Sequence, residues 1–427
     1  MVTLGVLGCG NVGAALCQLV ERDGDDIARR TGIRLQIGRV AVRSLSKDRG
    51  LDLPGALFTT DAATVVADPA IDVIVEVLGG IEPARQLILE SLAAGKPVVT
   101  ANKELLANVG AELFAAADTA GVDLLFEAAV AGAIPLIRPL RESLVGERLT
   151  RVMGIVNGTT NFILSQMAAH GTSYADALAE AQTLGYAERD PTADVEGYDA
   201  GAKAAIIASL AFGVRVVAGD VYHEGISGIG AADIAFATQL GYTIKLLAIC
   251  ERFDDGSVAV RVHPAMVPNA HPLASVRDSF NAVFVEGDAV GVLMFYGRGA
   301  GGLPTASAVL GDAIDASLNL SRGASASIGQ LGKCQLRSID DLASAFYLNL
   351  EVADEPGVLA LVAGVFGRHG VSIRSMEQES LDVDARLVFI THSAREADLR
   401  STLRELSELT VVRRVGSVLR VIDGERD

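Results

Sequence analysis

Cysteine is scarce in this sequence, and no long apolar run stands near its start. The four cysteines are Cys9, Cys17, Cys250 and Cys334, and no two of them form a C-x-x-C pair. This spacing argues against a disulfide framework and against a zinc site. The first residues, MVTLGVLGCGNVG, include no basic segment and only a short apolar run interrupted by glycine. They are typical of neither a signal peptide nor a membrane span, so a cytoplasmic location is expected.

Positive charge is also in short supply. The chain has 36 lysines and arginines against 53 aspartates and glutamates, which gives a formal net charge of −17 and a pI near 4.8. An acidic surface repels phosphate backbones and anionic lipids. We therefore expect no nucleic-acid partner and no membrane partner, whereas a small-molecule site can still carry any local charge.

Apolar residues, in contrast, are plentiful. Half of the 427 residues are hydrophobic and 21% are charged, so the chain can build two or three buried cores. Near the start, strand-like segments such as Val2–Leu7 and Ile71–Leu78 alternate with helix-like segments such as Val12–Arg22. This alternation predicts an α/β domain with a parallel sheet.

The pattern along the chain predicts three domains. A Rossmann-type α/β domain spans 1–135, and an α+β domain spans 136–297. A linker rich in glycine and serine follows at 321–344. The last part, 345–427, has the order βαββαβ, which predicts a ferredoxin-like domain.

A glycine-rich turn follows the first predicted strand. Gly8, Gly10 and Gly13 form a G-x-G-x-x-G motif that opens a helix, with Asn11 and Val12 inside the motif. The glycines permit a tight turn and let the backbone approach a pyrophosphate, and the helix N-terminus supplies N–H groups and a positive dipole. A turn without a ligand is the alternative, but the strand–turn–helix context favours a dinucleotide site.

The end of the second predicted strand bears on which dinucleotide binds. In NAD enzymes an acidic residue there usually accepts hydrogen bonds from the ribose 2′-hydroxyl. This chain has Arg43, with Lys47 and Arg49 close behind, and a guanidinium matches a 2′-phosphate. We predict NADP(H) as the cofactor. A solvated basic loop and the use of NAD(H) stay open as alternatives.

The segment ERDPTADVEGYDAGAK has residue types that alcohol–aldehyde chemistry needs, including a group that can carry a proton. We expect a helix to begin near Asp194, which would place Glu196, Asp199 and Lys203 on one face. Lys103 follows a predicted strand at the ligand-binding edge of the first sheet. An exposed salt bridge is the structural alternative, although the apolar run after Lys203 argues that this face is covered.

Six segments, in this order, resemble the homoserine dehydrogenase family: GCGNVG, TANKELLA, FEAAVAGAIPLI, GIVNGTTNFIL, LGYAERDPTADVEGYDAGAKAAI and GRGAGGLPTASAVLGD. The similarity covers about 1–320, and the segment DEPGVLA with the βαββαβ order resembles an ACT domain. The resemblance implies reversible, NADP(H)-dependent hydride transfer between L-homoserine and L-aspartate 4-semialdehyde in threonine, methionine and isoleucine biosynthesis. It makes 136–297 the catalytic and dimerisation domain and 345–427 a regulatory ACT domain.

The resemblance also implies roles for single residues. Lys103, which is expected to contact the cofactor too, and Lys203 correspond to two lysines proposed for catalysis, with Lys203 the better proton donor. Two lysines in one site are expected to lower each other's pKa. Glu188 and Asp199 correspond to carboxylates that bind homoserine, and Asp194 either supports them or, as favoured here, caps a helix. Three more residues are expected near the substrate: Asn157, Gly158 and Thr159.

A cation site and a second cofactor contact follow from the same resemblance. Glu127, with the backbone carbonyls of Val130, Gly132 and Ile134, resembles the family's monovalent-cation loop. Hard oxygen ligands on a loop rich in glycine and alanine fit Na⁺ or K⁺ better than a transition metal. The resemblance further implies that a segment at about 298–320 returns to the first, dinucleotide-binding domain, where Gly299, Gly301 and Gly302 are expected to contact the cofactor.

The start of the C-terminal domain predicts an effector site. Asp354 is expected to cap a helix, with Pro356 tolerated in the first turn and Gly357 leaving room for a ligand. In an ACT-like context this loop, including Val358 and Leu359, is where an amino acid binds. Because the implied reaction lies upstream of threonine, isoleucine and methionine, feedback by threonine is predicted, in a homodimer or homotetramer.

Two other classes of protein are disfavoured. An acylating semialdehyde dehydrogenase needs a thiolate nucleophile, and none of the four cysteines stands in a reactive setting. A regulator that only senses NADP(H) would not need the polar segment Glu188–Lys203.

Overall fold

The computed structural model describes residues 1–326, 328–381 and 384–422. Residues 327, 382–383 and 423–427 of the predicted linker and C-terminal domain lie outside the described residues. The described chain forms these strands: β1 Val2–Leu7, β2 Leu35–Ala41, β3 Phe58–Thr59, β4 Val73–Glu76, β5 Val98–Thr100, β6 Leu124–Leu125, β7 Leu149–Ile155, β8 Tyr222–His223, β9 Tyr242–Arg252, β10 Val258–Pro268, β11 Phe280–Gly287, β12 Gly291–Arg298, β13 Ala343–Ala353, β14 Ile373–Leu381, β15 Asp384–Thr391, β16 Ala394–Arg395 and β17 Val412–Val421. The α-helices are α1 Asn11–Thr31, α2 Ala62–Ala67, α3 Ala84–Ala93, α4 Lys103–Ala120, α5 Gly158–His170, α6 Tyr174–Thr183, α7 Thr192–Val195, α8 Tyr198–Phe212, α9 Ala231–Gln239, α10 Gly302–Arg322, α11 Val358–Arg368 and α12 Glu396–Glu408.

The N-terminal part folds around a parallel sheet with the strand order β3-β2-β1-β4-β5-β6. This order confirms the predicted Rossmann-type architecture. Helix α10 is distant from α1 in the sequence but packs on it, and Val309 and Ala313 of α10 are buried with Leu16 of α1. The return segment therefore completes the core on that face of the sheet.

The remaining strands form one mixed sheet with the order β12-β11-β7-β9-β10-β17-β13-β15-β14. Its last four strands, with α11 and α12, confirm the predicted ferredoxin-like βαββαβ unit. The second domain and the C-terminal domain share this sheet because β17 pairs in parallel with β10, with Ala265 opposite Arg420. The sequence did not predict this joint sheet.

Helix α8 lies at the centre of the molecule, between α4 of the first domain and strands β9 and β10 of the second sheet. Its apolar residues are buried almost all around, including Ala204, Ala205 and Ile207. A helix that is apolar on every side must be enclosed. The first turn of α8 is thereby held where the two domains meet.

Two predicted helix starts are wrong, and each misplacement involves a glycine. The expected helix from Asp194 is interrupted by Gly197, whose φ of 86° ends α7 and lets α8 begin at Tyr198, so Glu196 does not share a helical face with Asp199 and Lys203.

In the C-terminal domain, Asp354 does not cap α11. Gly357, with a φ of 92°, is the N-cap residue, and the helix begins at Val358. The carboxylate of Asp354 instead accepts a hydrogen bond from the Ser380 hydroxyl at 3.3 Å. Pro356 therefore precedes the helix and does not belong to its first turn.

The predicted linker follows the surface of the second domain. Arg215 N donates to Gly332 O at 2.8 Å, and Val258 N donates to Gln335 O at 3.0 Å. These bonds anchor the connection between α10 and β13. Within the described residues, no helix has both the length and the apolar character that crossing a bilayer requires.

Candidate active site

Three charged side chains from two helices meet between the domains. Lys103 stands at the first position of α4, directly after the N-cap residue Asn102, whose side chain accepts from Leu105 N at 3.1 Å. Asp199 and Lys203 lie one turn apart on α8, and Lys203 Nζ donates to Asp199 at 2.7 Å. Lys103 Nζ donates to the other oxygen of the same carboxylate. The structure thus brings together the three residues on which the predicted chemistry depends.

Burial sets the charge balance of this cluster. The side chains of Asp199 and Lys203 are 5% and 11% exposed, whereas that of Lys103 is 44% exposed. Burial lowers the pKa of Lys203, against the pull of Asp199, and the nearby Lys103 charge lowers it further. Burial also opposes ionisation of Asp199, but the two lysines outweigh it and hold the pKa of Asp199 well below its usual range.

Lys103 departs from the expectation that the two lysines lower each other's pKa. Burial opposes its charge, but the Asp199 carboxylate outweighs burial and raises the pKa of Lys103. The expectation is therefore supported for Lys203 and wrong for Lys103. The more exposed lysine stays charged, and the more buried one is the easier to deprotonate.

An asparagine ties the cluster to the second domain. Asn157 donates from its amide nitrogen to Asp194 at 2.7 Å and to Asp199 at 2.8 Å, and its amide oxygen accepts from Thr160 N at 2.9 Å. Lys203 Nζ also donates to the carbonyl of Val156 at 2.7 Å. Asp194 therefore faces the cluster from α7, and the favoured interpretation of Asp194 as a helix cap is wrong.

The other expected substrate residues lie at different distances from this centre. Gly158 opens α5 next to Asn157, and the Thr159 hydroxyl donates to Tyr186 O at 2.7 Å. Glu188 is exposed on the loop after α6, where its backbone carbonyl accepts from Gln182 at 3.0 Å. The structure records no contact between the Glu188 carboxylate and the three charged residues.

The glycine-rich turn has the shape that a pyrophosphate needs. A Cβ on Gly13 would lie 2.2 Å from Gly8 O, so only glycine lets α1 begin this close to β1. Gly10 is the N-cap of α1, and a Cβ there would meet no atom within 4 Å. Gly10 and Asn11 are exposed at the N-terminus of α1, where helix N–H groups and the helix dipole favour an anion, so the residues fit a dinucleotide.

The return segment passes directly over this turn. A Cβ on Gly302, at the start of α10, would lie 3.2 Å from Asn11 O, and Gly301 adopts a φ of 120°. A Cβ on Gly132 would come within 2.4 Å of Gly299 O. The glycine-rich return therefore joins the phosphate turn, which is the glycine-rich turn Gly8–Gly13, to the predicted cation loop.

The basic loop after β2 is fastened to the phosphate turn by Arg49. Its guanidinium donates to three backbone carbonyls, those of Cys9, Ser44 and Lys47, at 3.2, 2.8 and 2.6 Å. Arg43 is exposed at the start of the same loop. Arg49 therefore shapes the loop, and Arg43 is the guanidinium that remains open to a ligand.

In the predicted cation loop, the Glu127 carboxylate is already engaged. It accepts from the backbone N–H groups of Leu136, Ile137 and Arg138 at 2.5, 2.7 and 2.9 Å. Ala131 and Gly132 both have left-handed backbone, with φ of 58° and 57°. The donors present, the Glu127 carboxylate and backbone carbonyl oxygens, are hard oxygens and would suit a monovalent ion.

Comparisons with known proteins converge on one family. Family models match the NAD-binding domain of homoserine dehydrogenase at 8–127, homoserine dehydrogenase at 135–314 and the ACT domain at 346–410. The homoserine dehydrogenase of Corynebacterium glutamicum is 52% identical over 432 residues, covering 100% of this chain and 96% of the relative. The chain belongs to the homoserine dehydrogenase family.

Solved structures agree with this membership. The crystal structure of a homoserine dehydrogenase from Thiobacillus denitrificans has a TM-score of 0.93 and 40% identity, and the match covers 99% of this chain and 98% of that one. A hyperthermophilic archaeal homoserine dehydrogenase in complex with NADPH has a TM-score of 0.63 and 27% identity, over 74% of this chain and 98% of that one. As a homoserine dehydrogenase, the protein is an oxidoreductase of amino-acid biosynthesis that acts on a hydroxyl group with NAD(P), and it carries a C-terminal ACT domain.

The ACT loop of this homoserine dehydrogenase is open. A Cβ on Gly357 would meet no atom within 4 Å, and Leu359 is 38% exposed on the first turn of α11. Val358, in contrast, is 5% exposed and packs into the C-terminal core. Of the five expected effector residues, Val358 therefore supports the loop from inside.

Two buried polar residues near the site escaped the sequence analysis. Glu76 ends β4 and accepts from the Thr100 hydroxyl at 2.6 Å and from Leu78 N at 2.7 Å, and burial raises the pKa of this carboxyl. It stands in a run that the sequence presents as an apolar strand. Asn281 is 1% exposed beside Gly299, and among the described residues its amide atoms have no hydrogen-bond partner.

The thiols remain outside the chemistry. Burial raises the pKa of Cys250 to about 12. A hydrogen bond with Cys17 lowers the pKa of Cys9 to about 7, and the nearby charges of Arg49 and Lys47 act in the same direction. Cys9 is 7% exposed in the phosphate turn, away from a histidine partner, which does not support a thiol nucleophile.

Proposed function

We propose that the protein catalyses the reversible, NADP(H)-dependent interconversion of L-homoserine and L-aspartate 4-semialdehyde. The observation that carries this proposal is the Lys103–Asp199–Lys203 cluster at the meeting point of the two domains. A bound nicotinamide dinucleotide takes or supplies the hydride. The protein must then take or return the proton of the hydroxyl group.

Lys203 is the proposed proton carrier. Its lowered pKa makes the neutral amine accessible, so Nζ can take the hydroxyl proton during alcohol oxidation and return it during aldehyde reduction. Lys103, whose charge persists, is proposed to stabilise negative charge on the substrate oxygen and to contact the cofactor. Asp199 stays ionised and is suited to the substrate ammonium, with Asn157 orienting it.

Gly158, Thr159 and Glu188 are proposed as the remaining substrate contacts. Gly158 and Thr159 stand at the N-terminus of α5 beside Asn157. Glu188 would have to approach from its exposed loop to reach a bound ammonium. A Glu188→Gln variant with an unchanged KM for homoserine would remove Glu188 from the site.

NADP(H) is proposed as the preferred cofactor. Support comes from the exposed guanidinium of Arg43, from the loop that Arg49 fastens to the phosphate turn, and from the absence of an acidic residue at the end of β2. The remaining dinucleotide contacts are assigned to Gly8, Gly10, Asn11, Val12, Gly13, Gly299, Gly301 and Gly302. Initial rates with homoserine and NADP⁺ against NAD⁺ test the proposal, and a preference for NAD⁺ would contradict it.

A Na⁺ or K⁺ ion is proposed at the loop of Glu127, Val130, Gly132 and Ile134. The left-handed backbone at Ala131 and Gly132 turns the loop, and the Glu127 carboxylate holds its far end through three N–H groups. Replacing Na⁺ and K⁺ by choline at constant ionic strength should lower the rate. An unchanged rate would contradict a cation site.

Threonine is proposed to inhibit the enzyme through the ACT loop at Asp354, Pro356, Gly357, Val358 and Leu359. We also propose that the enzyme works in threonine, methionine and isoleucine biosynthesis and that it does so in the cytoplasm. The test compares inhibition of the homoserine reaction by threonine, isoleucine and methionine. Threonine should act at the lowest concentration, and a rate that none of the three changes would contradict the proposal.

A homodimer or homotetramer is also proposed. Strand β12 is an edge of the second sheet and exposes Val292, Met294 and Tyr296, which are 52%, 36% and 56% accessible. An exposed apolar edge favours association. Light scattering after size-exclusion chromatography measures the mass directly, and a monomer would contradict this part. The proposed domain limits are 1–135 with 298–320, 136–297, the linker 321–344 and 345–427.

A further inference from the structure

A buried arginine on the last strand connects the C-terminal domain to the second domain. Arg420 on β17 is 6% exposed, and its Nη1 and Nη2 each donate to a different oxygen of Glu224 at 2.9 Å. The same guanidinium donates to Glu396 on α12, with an Nη2–Oε2 distance of 3.0 Å. A bidentate pair of this kind fixes the orientation of both partners as well as their distance.

Glu224 belongs to the segment 222–226, which begins with β8. Its backbone N donates to Val262 O on β10 at 2.8 Å, and the Tyr222 hydroxyl donates to its carboxylate. The segment is therefore held by β10 through its backbone and by the C-terminal domain through its side chain.

The other side of the segment 222–226 supports the turn between α7 and α8. Ile226 N donates to Val195 O at 2.8 Å, and a Cβ on Gly225 would lie 2.4 Å from the same oxygen. The rings of His223 and Tyr198 are 4.3 Å apart. Tyr198 directly precedes Asp199, so this contact lies one residue away from the carboxylate that both lysines share.

We propose that Arg420 is a positioning residue for the active site. Through Glu224 and the segment 222–226, it holds the α7–α8 turn so that Asp199 meets Lys103 and Lys203. The inference rests on the proposed role of Asp199 in binding the substrate ammonium. The C-terminal domain then supports the substrate site even when no effector is bound. The phosphate turn follows β1 of the parallel sheet, whereas Arg420 lies in the mixed sheet, so the affinity for the cofactor should not change.

The test measures homoserine oxidation by full-length Arg420→Met and Arg420→Lys variants with no amino-acid effector added. We expect the Met variant to raise the KM for homoserine about tenfold, the size of effect typical of residues that act through a packed network. The Lys variant keeps the charge and loses the bidentate geometry, so its KM should lie between that of wild type and that of the Met variant. The Kd for NADPH, from fluorescence titration, should stay within about twofold.

Arg414→Met is the matched control. Arg414 lies on the same strand but is 65% exposed and pairs with Glu351 inside the C-terminal domain at 2.9 Å. It should leave the KM for homoserine and the Kd for NADPH unchanged, and thermal unfolding of every variant reports on the fold.

Glu224→Gln supplies a second route to the same answer, including the case in which Arg420→Met does not fold. If Arg420 acts through Glu224, the KM rises in this variant as well, and combining it with Arg420→Lys adds less than the sum of the single effects. An unchanged KM in both Glu224→Gln and Arg420→Lys would overturn the inference, and so would an equal loss of homoserine and NADPH affinity.

Failure of the proposed function can be recognised separately. If Lys203→Met is inactive while the Arg420 and Glu224 variants are normal, the proposed site stands and only the positioning role of Arg420 falls. If Lys203→Met is active, the assignment of the site itself is wrong.

Discussion

The phosphate turn and the α7–α8 turn lie in the same protein but are built differently. The phosphate turn consists of neighbouring residues, and its binding surface is backbone: the start of α1 left open by Gly10 and a close approach of Gly13 to Gly8. The α7–α8 turn presents charged side chains and depends on contacts from distant parts of the chain. A backbone site tolerates little change in residue size, whereas a side-chain site tolerates little change in charge.

The charge balance sharpens this contrast. A dinucleotide phosphate bound in the first region would meet uncharged N–H groups and a helix dipole. In the second region, one buried carboxylate is shared by two lysines, so removing any one of the three charges alters the pKa values of the other two groups. Substitutions in the two regions should therefore affect different kinetic constants.

The largest effect is expected from Lys203→Met. Without the proton carrier, kcat for homoserine oxidation should fall about 10²- to 10⁴-fold. The Kd for NADPH should be retained because the phosphate turn belongs to the other sheet. Lys333→Met, at an exposed position in the linker, is the control. A kcat within threefold of wild type would mean that another group carries the proton.

Gly13→Ala is expected to have a smaller effect, and the constant affected is the KM for NADP⁺. The new Cβ would collide with Gly8 O, because the distance would be 2.2 Å. Forced overpacking of this kind costs about 1–3 kcal/mol, so the KM for NADP⁺ should rise roughly five- to 150-fold while the KM for homoserine changes little. Gly311→Ala is the matched control, since a Cβ there meets no atom within 4 Å. Equal cofactor constants in the two variants would refute the close approach.

Arg43→Ala should give a still smaller and more selective change. Loss of one charge-assisted contact should raise the KM for NADP⁺ about tenfold and leave the KM for NAD⁺ nearly unchanged. Arg22→Ala, on the exposed side of α1, serves as the control. A parallel rise of both constants would show that Arg43 does not distinguish the two cofactors.

The same contrast explains what the sequence could predict. The Rossmann-type sheet, the βαββαβ unit and the phosphate turn follow from local periodicity and adjacent glycines, and the structure has all three. Convergence of Lys103 with Asp199 and Lys203 was expected from the strand edge and the family resemblance. Local patterns do not show the break at Gly197 or the pairing of β17 with β10, because both involve residues that are distant in the sequence: a Cβ on Gly197 would lie 3.2 Å from Glu224 O, and Arg420 lies opposite Ala265.

Buried polar residues were the hardest to foresee. Glu76 stands in a run of apolar residues, where its carboxylate is satisfied by Thr100 and by two backbone N–H groups. Arg420 stands in an ordinary strand pattern, and its partners Glu224 and Glu396 are 196 and 24 residues away in sequence. Partners this distant leave no mark in a single sequence.

The central claim is that Lys203 carries the proton and that the charge of Lys103, which shares the Asp199 carboxylate with Lys203, lowers the pKa of Lys203. The most direct measurement is the pH dependence of kcat/KM for homoserine oxidation in wild type and Lys103→Met. Oxidation needs neutral Lys203, so kcat/KM should rise with pH until Lys203 is deprotonated. Because the Lys103 charge lowers the pKa of Lys203, its removal should raise that pKa and move the rising limb to higher pH. Superimposable profiles, or a shift to lower pH, would contradict the account.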